Sequence, residues 1–481
     1  MKSAPHCSSL AALACVAGVF LQGASPSAPA LVPAAPSALM PAALTSADLA
    51  RQGGAATVTL AQAESFSRPV PAITRAHRRV FAVGHSLFND NWVQSPASVK
   101  TRQGLGPLFS AQSCSSCHAK DGRGAPPLTE KDPVVGLLLR ISVPGKGEHG
   151  EPLPVPDYGD QIQHRAIDGV APEAKIAVKY DSVDGKYSDG TPFQLLKPRY
   201  ELTEPAYGAF PADMLVSPRV APANFGMGLL EAIPDAGILA HVDEKDANGD
   251  GISGRANHVW NVVREREELG RFGWKANQPT VAQQNFSAFL GDMGITSPAV
   301  PKQNCREVQE ACRKAPALPH VEIDAESLRQ MDLYMKLIAV PAARDTQTPG
   351  FSEGLQTFRS AGCNSCHVES YVTGKDVDAD ELSFQTIRPY TDLLLHDMGE
   401  GLADGRPDFQ ATGNEWRTPP LWGIGLVPTV NGHTRYLHDG RARSLEEAVL
   451  WHGGEASASR QAFLSLPAAK RSALLFFLSS L

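Results

Sequence analysis

Three kinds of hydrophobic pattern divide the 481-residue chain. The first is an unbroken apolar run, LAALACVAGVFL (10–21), preceded by one charge, Lys2, and followed by the small residues Gly23, Ala24 and Ser25. It predicts an export signal over residues 1–25, cleaved near residues 24–25 and too short to span a bilayer. ALAC at Cys15 is a poor lipobox, which argues against a lipoprotein. Ala- and Pro-rich residues 26–62 predict a disordered tether. In the second pattern, apolar residues recur at three- and four-residue spacing. It predicts helices in VFAVGHSLFNDN and FSEGLQTFRSAG, and again in SLRQMDLYMKLIAV (Ser327–Val340) and the C-terminal AKRSALLFFLSSL. The third is strand-like alternation in LLLRISV, KIAVKYD and FQLLKPRYEL, broken by DGK and DGT turns. It predicts a small antiparallel β insertion over about residues 132–234.

Cysteine placement adds chemistry to this pattern. Cys7 and Cys15 fall in the presumed signal, leaving six. Cys305 and Cys312 are candidates for a local disulfide in an exported protein. On a straight helix they would sit ~10.5 Å apart along the axis, so bonding them requires a loop. The other four form two pentads, CSSCH (114–118) and CNSCH (363–367). A thioredoxin-type pair would need a βαβ context that neither site has. A zinc site built from the four cysteines would leave both trailing histidines unexplained. Covalent c-type haem accounts for every position: the two cysteines add to the vinyl groups and the histidine turns onto the iron. His118 and His367 are then the proximal ligands.

Each pentad follows a helical stretch ending in Phe, and each half closes with an apolar helix, the order of a cytochrome c. The predicted fold is therefore mainly α, with two cytochrome c-like haem domains in tandem, 63–343 and 344–481, the first carrying the β insertion. A third element recurs: GRFGWKANQPTVAQQNFSAF (270–289) can be laid beside TRYLHDGRARSLEEAVLWHGG (434–454). Pairing Lys275-Ala276 with Arg441-Ala442 and, after a short gap, Thr280-Val281 with Ser444-Leu445 puts His452 opposite Ala288. One half offers a ligand where the other offers a methyl group.

A net charge of −7 and a pI near 6.1 leave no basic footprint for nucleic acid. Small molecules and other proteins are the expected partners. Asp246, Asn248 and Asp250 in DANGDG have the spacing of a calcium loop, with the Ile252 carbonyl next, but Asn257 stands where an EF-hand needs Glu. Arg417 and Arg441 are candidate partners for haem carboxylates. Met227 and Met398 are alternative soft ligands, better read as packing.

The pentads together with GMGLLEAIP, DANGDGISGR, GRFGWKANQP, GDMGITSP, LLLHDMG, EWRTPPLWGIG and HDGRARSLEEAVLWHGGEA resemble the bacterial di-haem c-type oxidoreductase family of peroxidase-like proteins. More distantly they are similar to di-haem cytochrome c peroxidase and MauG. The resemblance implies two haems with a calcium ion between them, His452 as distal ligand of the second haem, and Trp274 as the bridge between the two. It implies peroxide chemistry at the first haem, where Gln283 and Gln284 occupy the matching helix and no acid does. Electrons would come from a small periplasmic cytochrome or cupredoxin and pass to a small-molecule oxidant. Rival expectations are an electron-transfer cytochrome without turnover and a di-haem oxygenase or substrate oxidase.

Overall fold

Phe81, Gly84 and Phe88 share one face of helix α1 (Arg75–Asn89), whose Thr74 hydroxyl caps the His77 amide. Further along, Thr280 caps α2 (Val281–Met293) and Asp324 caps α3 (Ala325–Lys336). In the second half, α4 (Pro349–Ser360) carries Phe351, Gly354 and Phe358 at the spacing seen in α1. The short α5 (Leu445–Trp451), capped by Ser444, and the terminal α6 (Ala468–Ser480) follow. The computed structural model describes residues 44–129 and 131–481, so the expected export signal and tether residues 26–43 lie outside the described residues. Residues 44–62 of that expected tether are ordered: Ser46–Ala50 is helical, Gln52 and Ala56 are buried, and Thr57–Val58 pairs in parallel with Val340–Pro341.

One packing unit occurs twice. α1 crosses α3, and α4 crosses α6. At each crossing a glycine lets the backbones meet. A Cβ on Gly84 would lie 2.3 Å from the Tyr334 Cβ, and one on Gly354 would lie 2.1 Å from the Ala473 carbonyl oxygen. The flanking phenylalanines then pack at steep ring angles in both: Phe88 and Phe81 against Tyr334, Phe358 and Phe351 against Phe477.

The chain is nevertheless not mainly α, and that expectation is corrected. Helix accounts for 29% and strand for 19%, the latter spread over seven small sheets among the described residues. The longest described helix, α1, has 15 residues. Glycine and proline, 42 and 38 in number, keep the segments between helices in turns and short bridges. Much of the strand lies in the insertion. Lys175–Lys186 and Pro192–Thr203 form a long antiparallel hairpin, and Leu137–Lys146 pairs with Leu215–Val220. The hairpin leans on the second half: Val178, Tyr187 and Leu195 share a core with Phe351, Leu450 and Phe463. Tyr187 donates to Glu446, and Tyr200 to Asp439.

Cys305 and Cys312 are bonded, with Cα atoms 5.8 Å apart. The chain is non-helical up to Gln309 and then turns into a four-residue helix, Glu310–Arg313, which supplies the bend the spacing required. Among the described residues no helix is long and apolar enough to cross a membrane.

A cavity shared by the two pentads

Both pentads open onto one cavity. Cys114, Cys117 and His118 line it from one half, Cys363, Cys366 and His367 from the other, with Trp274, Ala288 and His452 also in its wall. Ser113 caps the turn of helix that displays Cys114 and Cys117. The left-handed Gly362 (φ 77°) sets up the equivalent turn at Cys363–Ser365. None of the four cysteines is in a disulfide. Desolvation in the cavity wall pushes their thiols up, Cys117 to about 11 and Cys363 to about 12, so all four are neutral, unlike an activated nucleophile. The two pairs do not converge on one point, which removes the shared zinc site. Among the described residues only Cys366, Asp392 and His396 form a compact ligand-type cluster. There His396 is already bonded on both sides, to Asp392 and Glu455 at 2.7 Å each.

The three ligand candidates are held alike. His118 Nδ1 lies 2.6 Å from the Pro222 carbonyl oxygen, His367 Nδ1 2.9 Å from that of Tyr390, and His452 Nδ1 2.7 Å from that of Ala448. With Nδ1–H donating to a carbonyl, the proton is fixed there and Nε2 keeps its lone pair for a metal. Each ring is partly exposed by area, yet the space it faces is the cavity. Desolvation therefore lowers the pKa of all three, taking His118 and His367 to about 4, and keeps the imidazoles neutral. Phe88 stands 6.3 Å from the His118 ring at 55°, and Phe358 6.2 Å from the His367 ring at 56°.

The third repeat is more regular than the sequence comparison suggested. Bridges Phe272↔Gln278 and Tyr436↔Ala442 close loops of equal length, followed by caps at Thr280 and Ser444. Left-handed residues recur in step, Gly273 with Leu437 and Ala276 with Gly440. No gap is needed, so the pairing of Lys275-Ala276 with Arg441-Ala442 is corrected to Asp439-Gly440. Trp274 then stands opposite His438. Ala288 still stands opposite His452, and both line the cavity. The two loops meet at Val220, whose carbonyl accepts from Trp274 Nε1 at 2.8 Å and whose amide donates to the His438 carbonyl at 2.7 Å.

A family model described as "Di-haem oxidoreductase, putative peroxidase" matches residues 46–481. The chain belongs to that di-haem oxidoreductase family. No curated protein matches it. Among solved structures it is similar to a chain of "Kuenenia stuttgartiensis Hydrazine Synthase Pressurized with 20 bar Xenon". The identity there is 13%, over 89% of this chain and 97% of that one, with a TM-score of 0.29.

Two haems carry acidic side arms, and the residues of this di-haem oxidoreductase fit them. Arg123, Arg417 and Arg460 line the cavity, and none makes an ion pair with a carboxylate among the described residues. Arg460 Nε is buried without a hydrogen-bond partner among the described residues. Arg417 donates only to the carbonyls of Gly273 and Thr418, and Arg123 to those of Arg435 and Leu437. Desolvation lowers both to about 10, still cationic at neutral pH. Arg441 does not belong with them: it is off the cavity wall and paired with buried Asp439 at 2.8 Å. That expectation is corrected, because its charge is already matched.

Two further expectations change. Gln283 faces away from the cavity. Its amide donates to the Trp260 carbonyl and accepts from the Val262 amide, tying α2 to a hairpin, while its neighbour Gln284 lines the cavity. Asn257 does not join the acidic loop either. It is 1% exposed and bonded to Lys275, Asp408 and Gln410. Asp246 accepts from the Gly251 amide five residues on, and Asn248 and Asp250 accept from the amides of Asp250 and Ile252 as in Asx turns. Met227 and Met398 line the cavity, as do Met293, Met331 and Met335.

Proposed function

We propose that the protein is an exported, periplasmic oxidoreductase carrying two covalently attached c-type haems and reducing peroxide or a related small oxidant. Cys114 with Cys117 and Cys363 with Cys366 would form the thioether links; Arg123, Arg417 and Arg460 would meet the haem carboxylates. When bound, each haem supplies one-electron redox chemistry at its iron. The observation that carries the reading is the contrast between Ala288 and His452 at equivalent places in one repeated loop and helix. His452 offers a second imidazole on the His367 side, which suits electron transfer. Ala288 offers none on the His118 side, which leaves room for a small oxidant. Trp274, in the cavity wall, would bridge the two sites, and Gln284, one turn before Ala288, would be the amide that donates to an incoming oxygen atom. Electrons would enter at the His367 side from a small cytochrome or cupredoxin.

An EPR spectrum of the purified protein, resting and half-reduced, followed by peroxide, tests this. The expected result is one low-spin bis-imidazole centre, lost in His452→Ala, and one high-spin centre that responds to peroxide. Two low-spin centres in both states, indifferent to peroxide, would make the protein an electron-transfer cytochrome instead.

A further inference from the structure

The two helix crossings match position by position except in the chemistry of one ring. A Cβ on Gly84 would meet Tyr334 and the Gln330 carbonyl, and one on Gly354 would meet Phe477 and the Ala473 carbonyl, so positions 334 and 477 are equivalent. Tyr334 is fully buried, and its hydroxyl donates to Asp121 Oδ1 at 2.6 Å. Asp121, also buried, follows His118 by three residues; Ser370 holds that place after His367. One half thus has a phenol and a carboxylate where the other has a phenyl ring and a serine. Tyr390, whose carbonyl holds His367, donates to no carboxylate among the described residues. The pair stands in the half where Ala288 offers no ligand. Phe88 separates Tyr334 from His118, its ring centre 5.6 Å from the one and 6.3 Å from the other.

We infer that Tyr334 is a redox-active residue, an electron reserve for the His118 centre, with Asp121 as the acceptor of its proton. Its service to that centre rests on the di-haem reading; the phenol–carboxylate pair is made by protein atoms alone. The step is a one-electron oxidation. When peroxide or a related oxidant has drawn electrons from the centre and no reductant has replaced them, the phenol gives it one electron. The phenolic O–H bond breaks, an O–H bond forms on the Asp121 carboxylate, and a neutral phenoxyl radical remains. Reduction from the His367 side returns the electron, and the proton goes back to the phenol oxygen. Losing the electron alone would leave a cation in a buried apolar site, so the proton acceptor decides which tyrosine is oxidised. Two other tyrosines donate to carboxylates, and neither matches. Asp439, the acceptor for Tyr200, is paired with Arg441 at 2.8 Å, which makes it a poor base. Tyr187 and its acceptor Glu446 on α5 pack with the core of the second half. Asp121 has no Lys or Arg paired with it among the described residues, and its carboxylate is bonded by the hydroxyls of Tyr334 and Ser67.

The test oxidises the full-length protein directly and needs no turnover. The protein is flashed with a ruthenium polypyridyl sensitiser and a cobalt(III) ammine as electron sink, which generates ruthenium(III), and is then frozen for EPR. A tyrosyl signal is expected, identified by its narrowing when the tyrosines are ring-deuterated. It should be at least halved in Tyr334→Phe and in Asp121→Asn, and unchanged in Tyr187→Phe. A pair with a merely structural role would lower stability in these variants without moving the radical yield. A wild type without a tyrosyl signal, a signal of full size in Tyr334→Phe or Asp121→Asn, or an equal loss in Tyr187→Phe overturns the inference. The wild-type spectrum and Asp121→Asn decide the matter if Tyr334→Phe fails to fold. Haem content is measured on the same samples by pyridine haemochrome: its absence beside a Tyr334 signal would sink the di-haem reading and leave the tyrosine redox-active.

Discussion

Gly354→Ala is the sharpest probe of the repeated helix crossing. In a solvent-exposed helix the change stabilises by about 1 kcal/mol, because alanine gives up less backbone freedom. Here the new Cβ would sit 2.1 Å from the Ala473 carbonyl oxygen and 2.5 Å from the Phe477 Cβ. The carbonyl belongs to helix backbone and cannot swing away, so α4 and α6 must part by roughly 1 Å to reach ordinary contact near 3.4 Å. A gap of that size forfeits up to about half of each affected van der Waals contact, and Phe351, Phe358 and Phe477 are all buried at the seam. Overpacking costs about 1–3 kcal/mol, and a backbone clash belongs at the upper end. Less the propensity gain, a net loss of about 2 kcal/mol is expected. Urea unfolding followed by circular dichroism measures it. Gly84→Ala should lose stability for the same reason, its Cβ meeting Tyr334 and the Gln330 carbonyl. If either variant unfolds at higher urea than the wild type, the close-crossing argument is wrong.

Arg441→Met should cost about 3–5 kcal/mol by stranding the buried Asp439 carboxylate, with haem content unchanged. It should also invert a pH dependence. Burial alone would raise the Asp439 pKa, but Arg441 holds it down to about 2, so its contribution to stability is full above pH 4 and lost as the pH falls toward 2. Without the guanidinium the pKa rises, and acidification from pH 6 to 4 should then stabilise the variant relative to wild type in urea titrations. Gln283→Ala should lower stability by about 1–2 kcal/mol through the unpaired Val262 amide and Trp260 carbonyl while leaving peroxide turnover intact. Gln284→Ala should do the reverse, and steady-state kinetics on both variants would distinguish them.

The pentads were legible because the Cys-x-x-Cys-His pattern fixes residue type and spacing with almost no freedom, and both copies line one cavity. The asymmetry of Ala288 and His452 was legible for a related reason: a repeat aligns even when its register is locally misjudged. Left-handed residues at Gly273 with Leu437 and Ala276 with Gly440 fix that register, and backbone conformation at Leu437 or Ala276 leaves no mark in composition. Gln283 and Gln284 are adjacent on a helix whose face is set by what it packs against, so the sequence could not say which one points inward. Arg441 looked like a haem partner only while Asp439 went unnoticed two residues away. Arg123 was overlooked although it follows His118 by five residues, because its partners, the carbonyls of Arg435 and Leu437, are over three hundred positions distant. The mainly helical expectation failed where helix periodicity was extrapolated across segments that glycine and proline keep short. Phe81-Gly84-Phe88 and Phe351-Gly354-Phe358 were a usable signal of equivalent helices.

The single cavity also bears on the order of assembly. Its wall runs from Phe88 to Leu478, residues 390 positions apart. A chain emerging N-terminus first cannot close that wall around the first pentad until Leu478 has emerged. The cysteines at 114 and 117 therefore wait, unenclosed, through most of synthesis. Anything to be joined to them has that interval in which to arrive, before α6 docks on α4 and shuts the chamber.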